Sequence, residues 1–288
     1  MAVADPAQGR SQWLERPSVM GILNATPDSF SDGGRYATVD AAVACARRFF
    51  EQGADIIDIG AESTRPGAPV VDEKTEMARL LPVVEAVAAS VPLPISIDTR
   101  RARVMRAAHA LGACMMNDVS ALRDDPESLR TVAELGLDVC LMHRRGTPQT
   151  MQGQTHYSDV VMEIRDFLAE RVRVCRAAGI AAERIVLDPG IGFAKDLEGN
   201  LRLLRRLDAL RELGFPLLIG VSRKGFIGSL TGVTEPSARD PGSLAAALWI
   251  WARIGPAILR VHDVGATVQA LRVWAALDAD LDPNPKKG

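Results

Sequence analysis

Eight short apolar runs, most of them followed by a helical pattern, organise this sequence. They are VMGILN to Asn24, DIIDIG to Gly60, PISIDT through Asp98, CMMND through Asn117 and Asp118, VCLMH to His143, RIVLD to Asp188, LLIGVS to Ser222, and ILRVH through Arg260 and His262. Near-continuous Val, Ile and Leu is typical of parallel strands that are covered on both faces. Eight strand–helix units within 288 residues predict an α/β fold, a single (β/α)8 TIM barrel. Because the carboxyl ends of barrel strands meet at one mouth, we expect the polar run ends to line one pocket.

Helix ends and long loops divide the chain further. Periodicity and glycine stops predict helices over 41–52, 158–178, 197–213 and 243–254, with caps at Thr38 or Asp40 and at Ser158 and Ser243. The loops after strands one, two and five span 25–38, 61–72 and 144–157, and long loops at a barrel mouth usually bind or cover ligands. We predict one catalytic domain over 17–278, a flexible arm over 1–16 and a flexible tail over 279–288.

Composition excludes several function classes. The formal net charge of −2 gives no bulk attraction to nucleic acid or to an anionic membrane, and no apolar run reaches the length of a membrane helix. The sequence lacks a P-loop, a complete dinucleotide-binding fingerprint, a nucleophile elbow and zinc-ligand spacing. Its four scattered cysteines indicate buried free thiols in a reducing compartment, and we expect the protein in the cytoplasm.

Three strand ends carry hydrogen-bonding groups that suit a flat heterocycle. Asp98, Asn117 and Asp188 end the third, fourth and sixth strands. Two carboxylates and an amide in one pocket can accept hydrogen bonds from ring N–H groups and donate one to a ring carbonyl. The alternative is that each residue only caps the following helix or satisfies a loop amide.

A second set of residues suits a diphosphate. Ser222, Arg223 and Lys224 follow strand seven, where barrels often bind phosphate, although a solvated basic loop would have the same composition. Arg260 and His262 are two residues apart on strand eight and can therefore point to the same side. The loop after strand two adds Ser63, Thr64, Arg65, Pro66 and Gly67.

The end of strand one suggests a metal site and a lid. The side-chain oxygen of Asn24 is a hard ligand that could hold Mg²⁺ together with substrate phosphates. The following loop carries Asp28, Phe30 and Asp32 before paired glycines, which suits a segment that closes over substrate.

Seven motifs in this order resemble the dihydropteroate synthase family of folate biosynthesis. They are GILNATPDSFSDGG, DIIDIGAESTRPGA, ISIDT, NDVSA, LDPGIGF, SRK and RVHDV, and the similarity runs from Val19 to Leu277. The resemblance implies condensation of 6-hydroxymethyl-7,8-dihydropterin diphosphate with p-aminobenzoate, by Mg²⁺-assisted, dissociative loss of pyrophosphate. It also implies sulfonamides as inhibitors and a homodimer, for which the last helices, with Trp249, Trp251 and Trp274, could supply an interface. The alternative is that these tryptophans pack against the barrel.

The resemblance assigns site residues by position. The pterin would contact Asp98, Asn117, Met142, Asp188, Phe193, Lys224 and Arg260. Pyrophosphate would contact Asn24, Thr64, Arg65, Arg260 and His262, with Mg²⁺ at Asn24. The p-aminobenzoate would contact Phe30, Thr64, Arg65, Pro66 and Lys224. The catalytic residues would be Asp98, Lys224, Arg260 and His262.

Some positions depart from the family pattern, and two other functions stay open. Gly225 stands where relatives often have a polar residue, which leaves the p-aminobenzoate carboxylate to backbone N–H groups. Arg144 and Arg145 replace an expected Met-Gln pair, and Asp196 and Gly199 also differ. The alternatives are a methyltetrahydrofolate:corrinoid methyltransferase, which needs no pyrophosphate cluster, and a noncatalytic pterin-binding paralogue.

Overall fold

The computed structural model describes residues 18–25, 34–63 and 67–278, and within 34–38 it describes the backbone only. Strands β1 to β8 are Ser18–Asn24, Ile56–Gly60, Ile95–Asp98, Met115–Asp118, Asp138–Met142, Ile185–Asp188, Leu218–Ile219 and Ile258–Val261. Helices α1 to α10 are Gly34–Gln52, Glu73–Ser90, Ala102–Ala110, Ser128–Leu135, Val160–Ala177, Leu197–Arg205, Asp208–Arg211, Gly225–Thr231, Asp240–Ile254 and Val264–Asp278. Short 3₁₀ turns cover Met151–Gly153, Ala182–Arg184 and Pro236–Arg239.

The strands form one parallel sheet that closes on itself. Their order is β6-β5-β4-β3-β2-β1-β8-β7, so β1 pairs with both β2 and β8. A parallel bridge from Leu187 on β6 to Leu217, just before β7, connects the two ends of this order. Helices alternate with the strands, and the predicted (β/α)8 barrel is therefore confirmed.

The inner face of the barrel has an apolar floor. Seven buried side chains form it: Met20, Ile56, Met115, Cys140, Val186, Leu218 and Ile258. Since side chains alternate along a strand, residues two positions further on also point inward, nearer the mouth. Asp58, Asn117, Asp188 and Arg260 occupy such positions, and the register pairs Asn117 with Asp98. The interior therefore changes from apolar to charged toward the carboxyl ends of the strands.

The outer faces of the strands pack against the helices in a separate, larger core. At Gly21 the contact between β1 and α1 leaves no room for a side chain, because a Cβ there would lie 2.5 Å from Phe49 Cδ2. All four cysteines are free, as predicted: Cys140 and Cys175 are buried, whereas Cys45 and Cys114 are half-buried. Within the described ranges, no helix has the length and apolar character needed to cross a membrane.

Three predicted helix starts were wrong, the first two in α1 and α5. Helix α1 begins at Gly34, so Thr38 and Asp40 lie inside it and the first long loop is shorter than 25–38. A cap contributes only about 1 kcal/mol, and residues 35–40 include neither Gly nor Pro to stop the helix. Helix α5 is capped by Asp159 rather than Ser158, since the Asp159 side chain accepts hydrogen bonds from the backbone N–H groups of residues 161 and 162.

The predicted helix over 197–213 is two helices, α6 and α7. Arg206 leaves the helical region, with φ −121° and ψ 32°, and the neighbouring Leu207 is fully buried. Helix α9 begins at Asp240 rather than Ser243, with Pro241 in its first turn, where the missing N–H costs nothing. The Ser243 hydroxyl instead accepts a hydrogen bond from the Arg223 N–H at 2.9 Å.

Candidate active site

A buried ion-pair network crosses the barrel below its mouth. Arg260 on β8 donates from Nε to Asp58 Oδ2 at 2.6 Å and from Nη2 to Asp98 Oδ2 at 3.0 Å. Asn117 on β4 also donates to Asp58 Oδ2, at 3.1 Å. Four strands thus supply one connected set of polar groups, which includes the predicted residues Asp98, Asn117 and Arg260.

Asp58 is a member of this network that the sequence analysis missed. It is fully buried, and among the described residues its Oδ1 has no hydrogen-bond partner. A signal was present in the sequence, because a carboxylate stands in the middle of the apolar run DIIDIG, at the inward position between Ile56 and Gly60. A buried carboxylate of this kind needs a cation or N–H donors.

The charges of the network act on one another. The pKa of Asp98 is raised to about 7: burial is the largest cause, Arg260 opposes the rise, and the nearby Asp58 adds to it. Burial alone would lower the pKa of Arg260, but Asp58 and Asp98 raise it above its ordinary value. Arg260 therefore stays charged, while Asp98 can change its protonation state near neutral pH.

Asp188 faces the same interior from the end of β6. Its Oδ1 accepts the Gly190 N–H at 2.7 Å, and burial raises the pKa of this carboxyl. The register places Met142, which is buried, beside Asp188. Both residues lie two positions beyond the apolar floor, Met142 after Cys140 and Asp188 after Val186, so an aromatic ring in this space would meet acceptors and a thioether.

Lys224 and Phe193 form a contact at the edge of this space. The Lys224 Nζ lies 4.2 Å from the centroid of the Phe193 ring, within the range of a cation–π interaction. The preceding Arg223 is held differently: its guanidinium forms two hydrogen bonds of 2.8 Å with Asp240. Of these two predicted basic groups, only Lys224 lies at the site, and Arg223 joins the β7–α8 loop to α9.

His262 and Asn24 lie at the ends of neighbouring strands. The Ser222 hydroxyl lies 2.9 Å from His262 Nδ1 and accepts the His262 backbone N–H at 3.2 Å, which fixes the imidazole. Asn24 is half-buried and pairs in register with Gly60. The predicted residues Phe30, Thr64, Arg65 and Pro66 lie outside the described residues.

The positions that depart from the family pattern have structural partners. Arg144 pairs with Asp124, and Arg145 pairs with Glu163 at 2.5 Å while its guanidinium lies over the Tyr157 ring. These contacts hold the loop after β5. In a similar way, Asp196 caps α6 by accepting the Gly199 N–H at 2.7 Å.

No cluster of three or more His, Cys, Asp or Glu side chains suited to a metal ion occurs within 18–25, 34–63 and 67–278. The one predicted metal ligand, Asn24, offers a neutral amide oxygen at the mouth. Such a donor fits an ion that takes its other ligands from phosphate and water.

Comparison with known proteins agrees with this geometry. The family model for pterin binding enzymes matches residues 20–262. A curated relative, the dihydropteroate synthase of Neisseria meningitidis serogroup C, is 50% identical over 273 residues, which cover 93% of this chain and 95% of the relative.

Solved structures agree as well. The Xanthomonas albilineans dihydropteroate synthase with 4-aminobenzoic acid has a TM-score of 0.87 and 52% identity, covering 92% of this chain and 94% of that one. Its complex with 7,8-dihydropteroate has a TM-score of 0.84 and 49% identity, covering 92% and 95%. The Yersinia pestis dihydropteroate synthase with a sulfonamide drug has a TM-score of 0.86 and 45% identity, covering 92% and 95%. The chain belongs to the pterin-binding enzymes and, among them, to the dihydropteroate synthase family.

Proposed function

We propose that the protein is a transferase of folate biosynthesis that joins 6-hydroxymethyl-7,8-dihydropterin diphosphate to p-aminobenzoate, releasing pyrophosphate and 7,8-dihydropteroate. The observation that carries the proposal is the acceptor-rich barrel interior formed by Asp58, Asp98, Asn117 and Asp188, in a chain about half identical to dihydropteroate synthases along most of its length. The corrinoid methyltransferase and the noncatalytic paralogue are not favoured, because these relatives carry the synthase name. The catalytic domain we assign is 17–278.

The pterin ring would lie deep in the barrel, against Asp98, Asn117, Asp188 and Lys224, with Met142, Phe193 and Arg260 around its faces. Ring and exocyclic N–H groups would donate to the carboxylates, and Lys224 and Asn117 can donate to the ring carbonyl. The buried position of Asp188, 6% exposed, supports this assignment because water cannot easily replace the ligand there.

The diphosphate would face the mouth, between Arg260, His262 and Asn24, with Thr64 and Arg65 from the second loop. Mg²⁺ is the ion we assign to Asn24, and when bound it would neutralise negative charge on the diphosphate oxygens. The hydrogen bond between Ser222 and His262 supports the role of this histidine, since it holds the ring in one orientation.

Bond breaking would precede bond making. As the carbon–oxygen bond to pyrophosphate breaks, positive charge on the methylene carbon spreads into the pterin, where Asp98 and Asp188 stabilise it. The neutral amine of p-aminobenzoate then forms the carbon–nitrogen bond and loses a proton to solvent. Arg260 and His262 would stabilise the departing pyrophosphate, and no side chain is needed as a general base.

The p-aminobenzoate would bind nearer the surface, beside Phe30, Thr64, Arg65, Pro66 and Lys224, and sulfonamides would compete with it. The complexes of relatives with 4-aminobenzoic acid and with a sulfonamide drug support these two kinds of ligand. We also propose a cytoplasmic homodimer; the exposed Trp249, Val273 and Leu277 on α9 and α10 support an interface there.

One coupled assay tests the function. Pyrophosphate release should require both the pterin diphosphate and p-aminobenzoate, should fall when Mg²⁺ is removed by a chelator, and should be inhibited by a sulfonamide. Release that does not depend on p-aminobenzoate, or transfer of a methyl group from methyltetrahydrofolate, would contradict the proposal.

A further inference from the structure

A buried lysine that has no part in the proposed chemistry lies behind the pterin pocket. Lys195 is 4% exposed, and its Nζ lies 2.8 Å from Gly190 O, 2.8 Å from Phe193 O and 3.2 Å from His143 Nδ1. An ammonium group has three N–H donors, and these three acceptors use all of them. The side chain therefore joins the end of β5 to both ends of the loop 190–193.

The loop held in this way carries groups that face the pocket. The Gly190 N–H donates to Asp188 Oδ1 at 2.7 Å, while the Gly190 carbonyl accepts from Lys195. The Phe193 ring lies under Lys224 Nζ, while the Phe193 carbonyl accepts from Lys195. One ammonium thus holds two residues of the loop: Gly190, whose N–H orients Asp188, and Phe193, whose ring contacts Lys224.

The surrounding backbone leaves this loop little freedom to find another position. Gly190 has φ +69°, and a Cβ there would lie 2.0 Å from His143 O. Asn200 fixes the middle of the loop, because its Oδ1 accepts the Gly192 N–H at 2.7 Å and its Nδ2 donates to Lys195 O at 3.1 Å. A Cβ at Gly192 would in turn lie 3.2 Å from Lys224 Cδ, so the Lys224 side chain packs against the other side of the loop.

The neutral state of His143 is consistent with this network, and Lys195 is fully charged below about pH 7. Burial lowers the pKa of His143 to about 2, so the imidazole is neutral and its Nδ1 can accept from the ammonium. Burial also lowers the pKa of Lys195, to about 7, whereas the Asp188 carboxylate favours the charged form.

We propose that Lys195 is a positioning residue for the pterin subsite: through Gly190 and Phe193 it sets the orientation of Asp188 and of the Phe193 ring without touching substrate. The inference rests on the proposed function, because it takes the pterin as the ligand of Asp188. It assigns Lys195 to pterin affinity rather than to p-aminobenzoate affinity or to the chemical step.

The test compares Lys195→Met with a matched control, Arg184→Met. Arg184 pairs with Asp138 at 3.2 Å and flanks the opposite end of β6, so both variants lose a cation near the same strand. Binding of 6-hydroxymethylpterin is measured by calorimetry, and KM values are measured for both substrates. We expect Lys195→Met to raise the pterin Kd and KM about tenfold or more and to change the p-aminobenzoate KM less than twofold. Arg184→Met should lower the melting temperature but leave the pterin Kd within twofold.

Three results would overturn the proposal: an unchanged pterin Kd in Lys195→Met, an equal rise in Arg184→Met, or an equal rise in both KM values. If Lys195→Met does not fold, Lys195→Gln provides the same measurement, since its uncharged amide has only two N–H donors for the three acceptors of Lys195. We then expect a pterin-specific rise in Kd, and an unchanged Kd counts against the proposal. Activity of the unmodified protein separately tests the proposed function.

Discussion

Replacing Asp58 by Asn should weaken both the fold and the pterin pocket. The substitution keeps an acceptor for Arg260 Nε and Asn117 Nδ2 but removes the charge that lies 2.6 Å from Nε. A charge-assisted hydrogen bond contributes about 1–2 kcal/mol more than a neutral one. The Asn amide would then occupy the position of Oδ1, which has no partner among the described residues, and burying such a donor costs about 1–3 kcal/mol.

Two effects reduce this cost. Arg260 keeps its bond to Asp98 at 3.0 Å, and the repulsion between Asp58 and Asp98 disappears. We therefore expect the free energy of unfolding to fall by about 2–3 kcal/mol, which is less than the 3–5 kcal/mol for an isolated buried pair. Urea unfolding of the variant and the unmodified protein measures this difference in the free energy of unfolding.

A second measurement separates this electrostatic role from simple destabilisation. Since Asp58 raises the pKa of Asp98, Asp58→Asn should move the pH midpoint of pterin binding below its value in the unmodified protein. Asp138→Asn is the matched control, because Asp138 is also buried and paired with an arginine, but at the other end of the barrel. An unchanged midpoint together with unchanged stability in Asp58→Asn would refute the reasoning.

Four further predictions concern three positions. If ring N–H groups need the ionised Asp98, pterin affinity measured by calorimetry should fall up to about tenfold per pH unit below about 7, and a flat profile would contradict this. The contribution of Asp98 to the free energy of unfolding depends on pH in the opposite direction. Because folding raises the pKa of Asp98, this contribution is fully present below pH 3.8. Urea titrations should show it lost as pH rises through about 7. Ala194→Gly should leave the free energy of unfolding within about 1 kcal/mol, because relief of the strain at φ +51° offsets the loss of a buried methyl group; a larger loss would show that this backbone is not strained. Gly225→Ser should lower the p-aminobenzoate KM, because nothing lies within 4 Å of a Cβ there and the added hydroxyl can bind the p-aminobenzoate carboxylate. An unchanged KM would place that carboxylate elsewhere.

The sequence predicted the barrel and the positions of its polar strand ends for a simple reason. Parallel strands that are covered on both faces leave long apolar runs, and the residue that interrupts such a run marks the mouth. Asp98, Asn117 and Asp188 were found in this way. Lys224, Arg260 and His262 were found from their places after β7 and on β8.

The pairing of charges could not be predicted in the same way. Asp58 and Arg260 are 202 positions apart, and they meet only because β1 joins β2 to β8. Lys195 was missed because nothing local distinguishes a buried lysine from a solvated one after an apolar run. Helix starts were missed where packing outweighed caps worth about 1 kcal/mol each.

The barrel interior also explains why a pterin, rather than another flat ring, should be its ligand. Around the inner mouth, Asp58, Asp98 and Asp188 supply three carboxylates, with Arg260 and Lys224 as cations nearby. Arg260 already donates to two of the carboxylates, and Asp58 Oδ1 has no donor among the described residues. The pocket therefore has more acceptors than donors and more negative charge than a buried site tolerates well. A ring with several N–H groups would supply donors for the unpaired acceptors. A ring that becomes cationic as its leaving group departs would also offset the negative charge. The surplus of negative charge that destabilises the folded protein would then favour the transition state over the ground state.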